Sequence, residues 1–306
     1  MKKIFIVFIF SLFISFNVNA QTYSYQKDLL IKSYESDTVV TSRRTGIVST
    51  FEKMSTDSFI PKKLKVASFL KSNNVRNGEI DNRIWANVNL FPFSTIGTVE
   101  VVFYTPDGDE VGGYGTGVLI GPDLVFTAAH CVYSDEYGWA QEIKFFPART
   151  SFDVGGALYS ADCVEVSIPQ TYADLGHDDW ALIEVDEAFY DLGYMGFELV
   201  YDYFIDSTMY SSGYSGDKNG EQWYTYGNVV SVGDTVGENN TIISVDDFYT
   251  MPSHSGAPIY GPDNLVYGVY SYGYGYDVGG GGAGVGIDRP LYSILFNELL
   301  ESFERN

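Results

Sequence analysis

Basic side chains are scarce in this chain of 306 residues. It holds 18 Lys and Arg against 40 Asp and Glu, a formal net charge of −22. Twelve of the basic residues but only 5 of the acidic ones lie in the first 76 positions, which leaves 6 and 35 for the rest. Since nucleic-acid binding needs a basic face, the sequence predicts no nucleic-acid partner. A need for solubility alone would explain the acidic residues after position 76. We favour the hypothesis that the basic N-terminal segment docks on this acidic body as a pro-segment.

Long apolar runs are absent beyond the N-terminus. Lys2-Lys3 precedes an apolar run over 4–16, and Val18-Asn19-Ala20 fits a small-residue cleavage site before Gln21. This order of features is typical of a cleavable signal peptide, predicted at residues 1–20. The run is shorter than the ~20 residues that a membrane span needs. The sequence therefore predicts no membrane span and a secreted or periplasmic protein.

Cysteine and histidine are also rare, with 2 and 3 copies. In an exported protein the even number predicts one disulfide, Cys131 with Cys163, against the alternative of two buried thiols. No His/Cys cluster has zinc-ligand spacing. Residues 217–221 resemble part of a calcium loop but lack its full set of oxygen ligands, which favours an ordinary turn. We expect no metal and no cofactor.

Short strands separated by turns dominate the chain after residue 81. One series runs from Val99 to Val185 and a second from Thr208 to Tyr270, which predicts an all-β protein with two barrels or sandwiches. A helix over 290–303 begins at Pro290 and has leucines and isoleucines at helical spacing. Residues 278–284 are predicted to form a flexible loop. The predicted divisions are a pro-segment over 21–80, a body over 81–306, barrel 1 over 95–190 and barrel 2 over 200–290.

Three fragments carry the parts of an acyl-transfer site. They are Thr127-Ala128-Ala129-His130-Cys131, Asp179 before the apolar run 180–183, and Ser253-His254-Ser255-Gly256-Ala257-Pro258. A serine hydroxyl needs a base, and the base needs an orienting carboxylate. Each residue alone is better explained as a buried histidine or a turn residue. Together, in this chain order, they predict a triad of His130, Asp179 and Ser255, with His177 and Asp178 as rival positions.

These fragments resemble the trypsin-like serine peptidases, in particular the V8-like glutamyl endopeptidases. The resemblance extends over residues ~80 to ~303 and rests on these segments and on 114–122, 213–218 and Gln222-Trp223. It implies two six-stranded antiparallel β-barrels, a C-terminal helix and a site in the cleft between the barrels. It also implies that His130 is general base and then general acid, that Asp179 orients it, and that Ser255 is the nucleophile.

The chain departs from this family at several positions. Ser253 stands where the family usually has Gly, and its N–H together with that of Ser255 is expected to form the oxyanion hole. His254 replaces an Asp or Asn. The resemblance places Thr250, Tyr270, Ser271 and Gly273 along the substrate pocket, with Tyr270 in place of a histidine that binds a glutamate carboxylate. A Tyr hydroxyl carries no positive charge, so an acidic and an uncharged P1 residue both remain open.

The sequence predicts a secreted, monomeric serine endopeptidase that acts on polypeptides through an acyl-enzyme. Its own basic pro-segment is the expected partner, with the activating cut between Ser72 and Arg83, where Arg76 and Arg83 are basic sites. Arg43-Arg44 is a second candidate within the pro-segment. Alternative hypotheses are a catalytically impaired homologue that binds ligands in the same cleft, and an esterase.

Overall fold

The computed structural model describes residues 81–306 except 106, 235–240 and 275–280, together with short strands within 39–42, 48–49, 74–76 and 79–80. The predicted signal peptide, the Arg43-Arg44 site and most of the predicted pro-segment lie outside the described residues. Within the described part, no helix is long and apolar enough to cross a membrane.

Five short strands precede the first barrel. They are β1 (Val39–Ser42), β2 (Val48–Ser49), β3 (Asn74–Arg76), β4 (Glu79–Asp81) and β5 (Ile84–Trp85). β1 pairs with β2, and β3 pairs with β4, each antiparallel.

Barrel 1 is a closed antiparallel sheet. In chain order the next elements are β6 (Ile96–Tyr104), β7 (Glu110–Leu119), β8 (Leu124–Thr127), β9 (Tyr133–Ser134), β10 (Gly138–Trp139), β11 (Glu142–Pro147), β12 (Ala161–Pro169), helix α1 (Gln170–Leu175) and β13 (Ala181–Val185). The barrel order is β11-β6-β7-β8-β13-β12, closed by pairing of β11 with β12, and β9 and β10 form a separate hairpin. Alternate residues of β6, such as Val99 and Val101, are buried, as the period of two in a strand requires.

Barrel 2 repeats this plan. Its strands are β14 (Thr208–Gly213), β15 (Trp223–Asp234), β16 (Thr241–Asp246), β17 (Pro258–Tyr260), β18 (Val266–Tyr274) and β19 (Gly281–Gly286). Their order is β14-β17-β18-β19-β16-β15, closed by pairing of β14 with β15. The two six-stranded barrels confirm the fold class.

The C-terminal helix α2 (Arg289–Arg305) is also confirmed, a residue or two longer at each end than predicted. The Asp288 carboxylate caps it by accepting from the Leu291 N–H at 3.0 Å, and Pro290 lies in the first turn, where no N–H is needed. Ile294, Leu295 and Leu299 are buried in the same core as barrel 1, so the helix extends that core.

The predicted loop over 278–284 is wrong in its second half. Gly281–Gly286 forms strand β19 in the middle of barrel 2, between β18 and β16. Neighbouring atoms explain the glycines: a Cβ on Gly282 would overlap the Tyr270 ring, and one on Gly284 would overlap the Val269 carbonyl. The glycines from 281 onward are therefore explained by the close approach of β18 to β19, and they do not form a flexible loop.

Two of the N-terminal strands extend the barrels. β5 pairs with β15 of barrel 2, Trp223 opposite Trp85. β1 pairs with the C-terminal half of β12 in barrel 1, from Val39 opposite Pro169 to Ser42 opposite Val166. Strand β1 lies within the predicted pro-segment. A strand of that segment therefore pairs with β12 of barrel 1.

Candidate active site

His130 lies where barrel 1 meets solvent. Strand β8 ends at Thr127, and His130 follows in a single 3-10 turn, Ala129–Cys131. The buried Ala128 and Ala129 anchor this turn in the core, while the His130 side chain stays 37% exposed. The small residues before the histidine thus let the backbone pack closely and leave the ring at the rim.

Asp179 contacts this histidine twice. Pairing of Ala181 with Thr127 aligns β13 with β8, which brings Asp179 beside the 3-10 turn. Asp179 Oδ1 accepts the His130 backbone N–H at 2.9 Å, and Oδ2 lies 2.7 Å from His130 Nδ1. A carboxylate at this position fixes the proton on Nδ1 and leaves Nε2 with a lone pair.

The rival position Asp178 serves a structural contact. It has a left-handed backbone, φ +60°, and its carboxylate accepts a hydrogen bond from Thr171 in α1. The geometry thus brings together His130 and Asp179, whereas Asp178 contacts Thr171.

Ser255 lies in a tight turn from barrel 2, Met251–Ala257, which we term the catalytic turn. Within it the His254 N–H donates to the Met251 carbonyl and the Ala257 N–H to the His254 carbonyl, each at 3.1 Å. Gly256 has φ +83°, and a Cβ there would overlap Thr116 and Thr127 of barrel 1. Glycine therefore permits both the turn and the close approach of the barrels.

The Ser255 hydroxyl does not donate to His130 in this structure. Its Oγ lies 3.4 Å from the Ser271 carbonyl oxygen. Hydrogen bonds between a nucleophile and its base are often long or misaligned without substrate.

Two backbone donors of the catalytic turn are available to a ligand. Among the described residues, the N–H groups of Ser253 and Ser255 have no protein acceptor, whereas the N–H of His254 between them is satisfied within the turn. Ser253 has φ +75°, in the left-handed region that favours glycine. The serine thus adopts the conformation that the expected glycine would take, at a cost of about 1–2 kcal/mol.

The pKa values of the pair shift in opposite directions. Burial lowers the pKa of His130, but Cys131 first and then the Asp179 carboxylate favour the charged ring, and the net pKa lies well above 6.5. Burial raises the pKa of Asp179, but the hydrogen bonds from His130 and Ser271 and the charge of His130 lower it by more. The net pKa of Asp179 therefore lies below its ordinary value. The geometry accordingly stabilises an imidazolium next to a carboxylate.

The four residues predicted to line the substrate pocket differ in their contacts. The hydroxyls of Thr250 and Tyr270 are buried and hydrogen-bonded to each other. Ser271 donates to Asp179 Oδ2, so it touches the carboxylate that holds His130. Gly273 pairs with Gly282 across β18 and β19. The contact of Ser271 with Asp179 was missed by sequence reasoning, since 92 residues separate the two positions.

His254 is a buried neutral histidine. Its ring lies 2.9 Å from Ser211 Oγ through Nε2 and 3.4 Å from Ser215 Oγ through Nδ1. Burial, reinforced by the charge of Arg83, lowers its pKa to about 3. It also packs edge-on against the Tyr270 ring, with centroids 5.2 Å apart. His254 therefore supports the catalytic turn from inside barrel 2.

The predicted disulfide is wrong, because Cys131 and Cys163 are two buried cysteines with no disulfide bond between them. Cys163 pairs with Val185 at one end of β13, while Cys131 follows Thr127, which pairs with Ala181 at the other end. Four strand residues span about 13 Å, whereas the Cα atoms of a disulfide lie within about 7 Å. Cys131 instead lies 3.5 Å from the Ser255 carbonyl oxygen.

The described residues contain no group of three or more His, Cys, Asp or Glu side chains that could hold a metal ion. In the segment compared with a calcium loop, the Asp217 carboxylate is engaged by Arg83 and Glu221 accepts from the Trp223 indole at 3.3 Å. Both carboxylates of this segment are thus engaged by neighbouring side chains.

Comparisons with known proteins agree with this architecture. Residues 115–269 match the trypsin-like peptidase domain family. A glutamyl endopeptidase from Bacillus licheniformis is 30% identical over 154 residues, 48% of this chain and 45% of that protein. An extracellular metalloprotease from Bacillus subtilis is 37% identical over 75 residues, 24% of this chain and 23% of that protein. The chain thus spans less than half the length of these curated relatives.

A solved structure of a Glu endopeptidase in complex with MPD is similar in fold. It superposes with a TM-score of 0.55 at 23% identity, covering 73% of this chain and 95% of that one. At this identity the similarity concerns the fold alone.

Proposed function

Because the chain belongs to the trypsin-like peptidase family, we propose that it is a serine endopeptidase that hydrolyses peptide bonds through His130, Asp179 and Ser255. The contact of His130 Nδ1 with Asp179, 2.7 Å long and adjacent to the catalytic turn, is the observation that carries this proposal. The pair supplies an oriented base, and the turn supplies a hydroxyl together with two backbone donors.

The reaction begins when Ser255 Oγ attacks the carbonyl carbon of the peptide bond. His130 Nε2 takes the hydroxyl proton, and the N–H groups of Ser253 and Ser255 donate to the negative oxygen of the tetrahedral intermediate. The C–N bond breaks as His130 returns the proton to the leaving amine, which leaves an acyl ester on Ser255. Water, deprotonated by His130, then attacks the ester. The bond to Ser255 Oγ breaks as His130 returns the proton to that oxygen, and the second product leaves as the acid.

The raised pKa of His130 has a direct consequence for the pH profile. Only the neutral ring acts as a base, so kcat/KM is expected to fall on the acid side with an apparent pKa above 6.5. A profile of kcat/KM between pH 5 and pH 9 measures this. An acid limb below pH 6 would contradict the electrostatic description of the pair.

Cleavage of a denatured protein substrate tests the proposed activity. We expect the processed wild-type protein to release peptides, and the Ser255→Ala variant to lose ~10⁶-fold in kcat. Asp178→Asn is a suitable control, because it changes a neighbouring carboxylate that contacts Thr171 and leaves the pair intact. Equal activity of wild type and Ser255→Ala would refute the proposal. Ester hydrolysis without peptide hydrolysis would favour the esterase alternative.

For specificity, the Glu preference in the name of the relative is not carried over to this chain. Thr250 and Tyr270 supply hydroxyl groups that already bond to each other, and neither supplies a positive charge. A glutamate carboxylate in contact with these two side chains would gain no ion pair. We therefore propose that Glu and Gln at P1 are cleaved at similar rates, which paired peptides that differ only at P1 would measure.

For maturation, we propose export by the signal peptide over 1–20 and removal of a pro-segment. The charge contrast between the N-terminal segment and the body supports this, as does pairing of β1 with β12. Arg83 is 1% exposed in the folded protein, so we place the activating cut before Asp81, with Arg76 as the basic site. Intact-mass analysis of the exported, active protein tests this. A fully active form that begins at Gln21 would refute processing.

A further inference from the structure

A buried cluster of charges joins the start of the catalytic domain to barrel 2. The Arg83 guanidinium donates to both oxygens of Asp217 at 2.8 and 2.7 Å and to both oxygens of Asp81 at 2.9 and 2.8 Å. Lys218 Nζ lies 3.1 Å from Asp81 Oδ2. Two positive and two negative charges thus balance, and Arg83 makes the paired contacts that are strongest for a guanidinium.

Asp217 belongs to a loop that contacts the catalytic turn directly. In this loop, 213–218, the Gly216 N–H donates to the Pro252 carbonyl at 2.7 Å. Ser215 Oγ lies 3.4 Å from His254 Nδ1. A movement of the loop at Asp217 would therefore reach the residues on either side of Ser253 through two polar contacts.

The same N-terminal residues contact the chain that leads into the catalytic turn. Asn82 accepts from Thr225 Oγ1 at 2.8 Å and donates to the Asp247 carbonyl at 2.6 Å. The Arg83 guanidinium lies over the Tyr249 ring, 5.0 Å from its centroid. Residues 81–83 thus hold the approach to the turn as well as the loop that packs against it.

We propose that Arg83 is a positioning residue, which acts through Asp217 to hold the catalytic turn in the conformation that presents the N–H groups of Ser253 and Ser255. This inference rests on the proposed peptidase function. Without Arg83, the buried carboxylates of Asp81 and Asp217 would repel each other with only Lys218 to balance them. The loop would then shift, and the turn with it.

Two variants test the proposal. Arg83→Lys keeps the charge but loses the forked contacts, and Asp217→Asn weakens the other partner. Each is expected to lower kcat by ~10²-fold, the cost of a displacement of about 1 Å in a catalytic group, with a smaller change in KM. In an Arg83→Ala variant, added guanidinium is expected to restore part of the lost kcat.

Two controls separate positioning from general loss of stability. Lys144→Ala breaks an exposed ion pair with Asp162 on barrel 1 and should leave kcat unchanged. Leu299→Ala lowers Tm through the helix-to-barrel core and should also leave kcat unchanged below its Tm. A purely structural role for Arg83 would give the Leu299→Ala pattern, with lower Tm and unchanged kcat.

The outcomes are distinguishable. If the processed wild type does not cleave peptides, the proposed function fails. If the wild type is active and the folded Arg83→Lys and Asp217→Asn variants have the wild-type kcat, the positioning role is overturned while the function stands. If none of the Arg83 and Asp217 variants folds, the cluster is structural and the proposal is also overturned.

Discussion

Barrel 1 holds His130 and Asp179 on strand ends backed by an apolar core, whereas barrel 2 holds Ser255 on a turn supported by polar contacts. The core of barrel 1 contains large side chains such as Phe126 and Phe145 and continues into α2. The catalytic turn instead relies on Thr116, whose N–H donates to the Ser255 carbonyl at 2.8 Å and whose hydroxyl donates to the Ser253 carbonyl at 3.1 Å.

This difference indicates which substitutions should change the stability of the protein and which should change its activity. When a contact is lost from an apolar core, the protein loses stability but the backbone keeps its geometry, because apolar forces are non-directional. A turn held by hydrogen bonds and charges depends on direction, so small changes alter the position of the backbone donors. Substitutions in barrel 1 away from the site should therefore change Tm, and those that break polar contacts of the catalytic turn should change kcat.

In barrel 1, the largest expected effect lies at the pair of His130 and Asp179. Asp179→Asn cannot orient His130 in the tautomer that leaves Nε2 free, and kcat is expected to fall by ~10⁴-fold with little change in Tm. Steady-state kinetics and thermal melts measure the two quantities. In the control Asp178→Asn, kcat should stay near the wild-type value. A small loss of activity in Asp179→Asn would contradict the role assigned to the pair.

The next effect tests the apolar side of the comparison. Leu299 in α2 is buried, and its Cδ1 would be 3.0 Å from a Cβ built on Gly121. Leu299→Ala should lower the free energy of unfolding by about 2–5 kcal/mol and leave kcat unchanged. Denaturant melts and kinetics below Tm check this. A large loss of kcat in the folded variant would show that the barrel 1 core also positions the site.

Much of this comparison could be predicted from the sequence, because the evidence for it is local. Short apolar runs between turns predicted the strands of both barrels. The triad of His130, Asp179 and Ser255 stays a prediction from the sequence, of which the structure shows the contact between His130 and Asp179. The partners of buried polar groups could not be predicted. Arg83 and Asp217 are 134 positions apart, and nothing in the local pattern links them.

Two wrong predictions share one physical cause. The disulfide followed from counting cysteines, but Cys163 pairs with one end of β13, whereas Cys131 follows the residue that pairs with its other end. The glycine-rich loop followed from composition, but β19 needs glycine because Tyr270 and the Val269 carbonyl occupy the space of its side chains. Both errors arose because residue type was interpreted without knowledge of the three-dimensional neighbours.

A smaller effect contrasts the buried charge of Arg83 with the partly buried charge of Glu298. Arg83 is balanced by Asp81 and Asp217, but burial and the charge of Glu301 raise the pKa of Glu298 in α2 to about 7, with Glu165 and Glu184 adding to the shift and Arg305 opposing it. Because the folded pKa exceeds the unfolded one, stability should fall as pH rises from about 4.5 to about 7. Allowing for solvent screening, we expect the free energy of unfolding to fall by about 1–2 kcal/mol over this pH range.

Glu298→Gln should remove that pH dependence. Urea melts at pH 5 and pH 8 measure it, with the exposed Glu304→Gln on the same helix as control. If Glu298→Gln and Glu304→Gln lose the same stability between the two pH values, the charge of the partly buried Glu298 is not responsible.

The smallest effect concerns the strained residue of the catalytic turn. Ser253→Gly should raise the free energy of unfolding by about 1 kcal/mol, since glycine adopts φ +75° without the steric cost, and kcat should be retained. Asn264→Gly is the control, because Asn264 has φ +62° in a hairpin turn and asparagine tolerates this region. An equal gain at both positions would argue against strain specific to Ser253.

Covalent labelling is the most direct test of the catalytic assignment. The processed protein is incubated with a fluorophosphonate, and the intact mass and the modified peptide are determined. The account predicts one label per chain, on Ser255, absent from Ser255→Ala and strongly slowed in Asp179→Asn. A processed, folded wild type that takes up no label, or a label that persists in Ser255→Ala, would contradict it.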